Sequence, residues 1–177
     1  MLFVVILSLL AGEAAYAQKF AGLDPSPADI SYLRENGRRS AAVVKVSYGR
    51  PQKKGRTMLG STEPFGKVWR LGANETTEIK LFRDVTFGDK LVKAGTYSLY
   101  AIPSEKEWTI IFNSKLDTWG AYEYDESKDV VRFNVPTTKP ATEIEALSMV
   151  FDEANGTGKS NLWIGWENTV VQIPVKF

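Results

Sequence analysis

Eight separate runs of this chain carry an apolar residue at every second position. Val44, Val46 and Tyr48 alternate with Lys45 and Ser47, and Ile79 and Leu81 alternate with Glu78 and Lys80. The same pattern recurs at Tyr97, Leu99 and Ala101, at Trp108, Ile110 and Phe112, and at Val131, Phe133 and Val135. It returns at Leu147, Met149 and Phe151, at Leu162, Ile164 and Trp166, and at Val171, Ile173 and Val175. Successive side chains of a strand point to opposite faces, so a period of two marks a strand with one face buried. Turn signals separate the runs: "FGDK" at 87–90, "KAG" at 93–95, "PSEKE" at 103–107 and "NGTGKSN" at 155–161. No segment after residue 40 carries a convincing helical period. The pattern predicts an all-β fold, a single antiparallel β-sandwich or jelly-roll-like domain of about eight strands over residues 41–177. A chain of 177 residues that is 44% hydrophobic has enough apolar material for one core, and no repeat or second domain is visible.

The two segments before this domain read differently. An apolar run from Leu2 to Ala11 leads into small residues ending Ala15-Tyr16-Ala17. That pattern predicts a signal peptide over 1–17, removed before Gln18, and an exported protein, periplasmic or secreted. No Lys or Arg follows Met1, so the basic start of such a signal is missing. The run is too short to span a bilayer as a helix, and no membrane span is expected. Residues 18–40 mix Pro, Gly and charge and read as a loosely ordered lead-in, with one helical turn near Ala28 to Glu35.

Composition removes whole classes of chemistry. The chain has no cysteine and no histidine. Ser-His-Asp and Cys-His nucleophile systems are therefore impossible, as are zinc sites built on His or Cys. An enzyme would have to use carboxylates, Lys, Tyr, Ser or Thr, and no cofactor or metal is expected. Asp125, Glu126 and Asp129 lack the spacing of a calcium loop. A net charge of +1 argues against a nucleic-acid binder.

The stretch "GRPQKKGRTMLGSTEPFGKVWRLGAN", residues 49–74, joins two strands and is too long for a simple turn. It holds six basic side chains against one acid, Glu63, yet Met58, Leu59, Phe65, Val68, Trp69 and Leu71 need burial. The connection should fold back over the domain with its charges held. Arg50, Arg56, Arg70 and Asn74 are candidate donors to a small polar or anionic ligand or a glycan, with Trp69 as a stacking wall. A competing reading pairs these arginines with the protein's own acids, for which 117–129 offers five against one lysine. Glu123, Asp125, Glu126, Asp152, Glu153 and Glu167 could supply a carboxylate pair for glycoside hydrolysis. Alternation sets Trp163 and Trp166 on opposite faces, one in the core and one partly exposed.

"YGRPQKKGRTMLG", "FGKVWRLGANETTEI", "AGTYSLYAIP", "EWTIIFN" and "LWIGWENTVVQIPV" together resemble the bacterial exported family catalogued as domain of unknown function 2911. The likeness runs from about Ala42 to the C-terminus. It implies an exported all-β domain with no established activity. The family motif falls on Arg50, Pro51, Gly55, Arg56, Gly60, Gly66, Trp69, Arg70, Gly72, Ala73 and Asn74, within the same connection. The chain departs from it at Gly49, where the family usually has Ser, and at Phe65, where the family has Tyr. Three readings stay open: a ligand-binding domain, a histidine-independent carboxylate enzyme, and a structural module. The oligomeric state is not legible.

Overall fold

The computed structural model describes residues 19–177, and the expected signal peptide at 1–17 lies outside the described residues. Those residues form eleven strands: β1 (Ala28–Arg34), β2 (Ala42–Gly49), β3 (Glu78–Leu81), β4 (Val85–Phe87), β5 (Lys90–Val92), β6 (Gly95–Ile102), β7 (Glu107–Asn113), β8 (Asp129–Thr138), β9 (Ile144–Phe151), β10 (Lys159–Glu167) and β11 (Thr169–Lys176). Every pairing between them is antiparallel. The hydrogen-bonded path runs β1-β2-β3-β6-β7-β8-β11-β10-β9, with the β4–β5 hairpin attached through β4 to β11. The long β8 pairs with β7 over Asp129–Pro136 and then with β11 at Thr137 and Thr138, so it carries the sheet round a corner.

The two ends of this path meet. The residues after β2 join β9: Leu147 N–H donates to Pro51 C=O at 3.0 Å, and Lys53 N–H donates to Glu145 C=O at 3.0 Å. Tyr48 Oη accepts from Met149 N–H at 3.0 Å, and Gly156 N–H donates to Glu35 C=O at 2.9 Å. The sheet is thus curled into a nearly closed barrel, which corrects the expectation of an eight-strand sandwich. Closure leaves few free edges, the feature of a sheet most exposed to unwanted pairing.

All eight period-two runs are strands. The three strands without such a run have distinct reasons for their silence. β4 and β5 are three residues each, too short to show a period. In β1, Ile30 and Tyr32 are exposed while Asp29, Ser31 and Leu33 turn inward, so its apolar pattern opposes its buried face. The helical turn expected near Ala28 to Glu35 is corrected by β1, which pairs with β2 from Ala28↔Gly49 to Leu33↔Val44. The only helical element among the described residues is a 3₁₀ turn at Glu126–Lys128, capped by the Asp125 carboxylate.

Three tryptophans fill the barrel's middle. Trp69 stacks on Trp166 with ring centroids 5.6 Å apart and meets the edge of Trp108 at 5.8 Å. Phe87 and Phe112, both buried, pack at 4.9 Å. Trp166 is buried and Trp163 is partly exposed, donating Nε1–H to Asp152 Oδ1 at 2.9 Å, as alternation requires.

Candidate functional site

The connection from Arg50 to Thr77 is held along its whole length. Its first residues zip onto β9 as described. A tight turn follows at Lys53–Arg56, with Lys54 and Gly55 both at positive φ (48° and 73°). The next turn is fixed by one buried side chain: Glu167 accepts from Met58 N–H and from Leu59 N–H, each at 2.8 Å. Glu167, a candidate for acid–base work, is therefore an anchor for the connection. Further on, Trp69 and Ala101 of β6 exchange backbone hydrogen bonds at 2.8 and 2.9 Å, and Ala73 N–H donates to Gly49 C=O at 3.2 Å.

This path separates the five residues proposed as a ligand site. Arg50 forms an ion pair with Asp29 at 3.1 Å and donates to Ser148 Oγ at 2.9 Å, linking β1 to β9 across the barrel's closure. Arg56 is exposed but donates to the backbone carbonyls of Lys53 and Gln52, both at 2.9 Å, and so locks its own turn. Trp69 is 2% exposed and gives Nε1–H to Gly72 C=O at 3.2 Å. A ring so enclosed offers no face to a ligand, which corrects its assignment as a stacking wall. Asn74, at φ 62°, donates to Asp24 Oδ1 at 3.1 Å. Arg70 differs from the rest. Its side chain makes no hydrogen bond or ion pair among the described residues, its Nε is buried without a partner as is that of Arg50, and its guanidinium carbon lies 5.9 Å from the Trp119 ring centroid. Glu63 faces it loosely: burial raises the Glu63 carboxyl above its ordinary range, and the charge of Arg70 pulls it partly back.

The acids of 117–129 do not neutralise the basic connection. Glu123 pairs with Lys115 at 3.1 Å and Glu126 with Arg132 at 3.2 Å. Asp129 holds Arg132 and accepts from Tyr124 Oη at 2.7 Å. Desolvation, helped by that hydrogen bond to Asp129, pushes the Tyr124 phenol up to about 12. The two segments nonetheless meet through backbone. Glu75 and Trp119 form an isolated bridge, Thr76 N–H donates to Thr118 C=O at 3.0 Å, and Gly120 N–H donates to Asn74 C=O at 3.0 Å.

A groove of about 570 Å³ opens beside that junction. Its floor is a cross-strand row in register, Ser47 of β2, Glu78 of β3 and Ser98 of β6. Asn74, Glu75 and Thr76 line one part, Asp117, Thr118 and Trp119 another, and Ser26 and Ala28 of the lead-in a third. Among the five residues proposed from sequence, Asn74 alone lines it. Trp119 is 57% exposed and stacks on Tyr122 at 5.8 Å with planes 7° apart. The signal for this aromatic pair was present in "TWGAY", where Gly120 takes a positive φ of 69° and turns the chain between the two rings. Among the described residues no cluster of three or more acidic side chains is placed to hold a metal ion, and no helix is long and apolar enough to cross a membrane.

Fold and groove together define an all-β antiparallel domain with an open polar cleft on the outer face of its sheet. The chain belongs to the family described as protein of unknown function (DUF2911), whose sequence model matches residues 33–175. No curated protein and no solved structure matches it.

Proposed function

We propose that this is an exported binding domain for a polar, polyhydroxylated ligand such as a glycan fragment, held in the groove between β2–β3–β6 and the 74–76 and 117–119 segments. The observation that carries the reading is Trp119: a large ring, more than half exposed, at a cavity whose other lining side chains are mostly hydroxyls and carboxylates. Such side chains satisfy sugar hydroxyls, and an aromatic face packs against the apolar face of a sugar ring. A volume of about 570 Å³ lies within the range of small-ligand sites. The 49–74 connection is then a brace that closes the barrel and presents Asn74 and Glu75 to the groove. Export rests on the apolar run at 2–11 and the Ala15-Tyr16-Ala17 end.

Calorimetric titration with a panel of neutral oligosaccharides tests this. Wild type should bind at least one member. Trp119→Ala should lose that binding while its stability stays within about 0.5 kcal/mol, because an exposed ring is removed. Retention of full affinity by Trp119→Ala would overturn the proposal, as would silence of wild type towards neutral and amino-sugar oligosaccharides alike.

A further inference from the structure

Three acids line the groove: Glu75, Glu78 and Asp117. Among the described residues none of them makes an ion pair or a side-chain hydrogen bond with the rest of the chain. No Lys or Arg lines the cavity. The nearest cations on the same strands are Lys45 and Lys80, cross-strand partners two pairs along from Ser47 and Glu78. Alternation puts both on the face that Glu78 occupies, and Lys80 is directed over the Phe82 ring at 5.1 Å. Lys115 is engaged by Glu123, and the Arg70 guanidinium lies over the Trp119 ring, 5.9 Å from its centroid. A second observation lies in the floor itself. Ser47, directly opposite Glu78, has an Oγ shielded from solvent and without a hydrogen-bond partner. A buried hydroxyl left unpaired is uncommon and calls for an explanation, and here it lines a cavity.

Resting on the binding reading above, we infer that the ligand is a cationic glycan, one carrying free protonated amines, with an ammonium group seated at Glu78 and Ser47 and a sugar face on Trp119. An ammonium carries donors alone, which suits carboxylates and a serine oxygen. The aromatic rim adds a favourable surface for a cation. An anionic sugar would meet three unpartnered carboxylates and no lining cation. The attraction is local, because the whole chain has a net charge of +1 and exerts no general pull on cations.

The test uses two probes of equal length: an oligomer of β-linked glucosamine with free amines, and its fully N-acetylated counterpart. Both are titrated calorimetrically into wild type, Glu78→Gln and Asp117→Asn, at a pH above the carboxylate range where the amines are charged. The free-amine oligomer should bind wild type about tenfold tighter than the acetylated one. Glu78→Gln should erase that preference, so that the variant binds the two oligomers alike. Asp117→Asn should reduce the preference and supplies the answer if Glu78→Gln does not fold. Equal binding of the two probes, or preference for the acetylated one, would overturn the inference and leave the binding reading standing. An amine preference untouched by both substitutions would also overturn it, since the charge would be read elsewhere. Failure of both probes, together with silence of the neutral panel, would remove the binding reading itself.

Discussion

Gly49 and Ala73 meet backbone to backbone. A Cβ built on Gly49 would lie 2.0 Å from the Ala73 carbonyl oxygen, a contact that only displacement of the chain can relieve. Gly49→Ala should therefore cost about 1–3 kcal/mol in denaturant unfolding, the range of an overpacked site. The 72–74 turn comes too close for any side chain at 49. Tyr124 supports a second prediction. Its phenol titrates near 12 in the folded chain against an ordinary value of 10.0, chiefly because burial disfavours the phenolate. The folded state thus holds the proton more tightly than the unfolded chain. That contribution is fully present below pH 10 and is lost as pH rises towards 12. Wild-type stability should fall across that window, and Tyr124→Phe should show a shallower fall. At this scale the sequence was partly legible. Asn74 and the singularity of Arg70 lie within the connection that composition picked out. Trp119 and Glu78 do not, because they reach the groove through pairings far apart in the chain: the 74–76 segment on 118–120, and β3 between β2 and β6.

Among the elements, the strands carrying a period of two were all readable, because one-sided burial writes itself into the spacing. β1 was not, since its apolar Ile30 and Tyr32 face outward, and β4 and β5 were too short. The basic connection folds back over the domain, but of its six basic side chains only Arg50, Lys53 and Arg56 are held by partners among the described residues. What held them was not legible: Asp29 and backbone carbonyls serve Arg50 and Arg56, while the acidic 117–129 segment pairs with Lys115 and Arg132. Glu167 is the clearest case of a side chain whose role follows from the element it anchors. Its two oxygens each accept one backbone N–H of the 58–59 turn, and it sits 8% exposed at a positive φ of 52°. Glu167→Gln replaces one acceptor with a donor and leaves one buried N–H unpaired. The expected cost is about 1–3 kcal/mol in chemical denaturation, with hydrogen exchange at Met58 and Leu59 accelerated before that of β10. An unchanged midpoint would show that the turn is held by its apolar contacts instead.

At the scale of the whole molecule, one connection does two jobs in sequence. Its first half seals β1 and β2 against β9, and its second half runs beside β6 to bring Asn74, Glu75 and Thr76 against the Trp119 turn. The barrel's closure and the groove's wall are therefore built from the same segment. Two of the basic residues that make the segment conspicuous, Arg50 and Lys53, serve the closure, and the ligand is assigned to the groove. Mapping backbone amide shifts during titration with a bound oligosaccharide separates these assignments most directly. The account predicts that the largest changes cluster at 47–49, 74–78, 98 and 117–119, with the Lys53–Arg56 turn unmoved. Changes centred on Lys53–Arg56, with the groove silent, would contradict it.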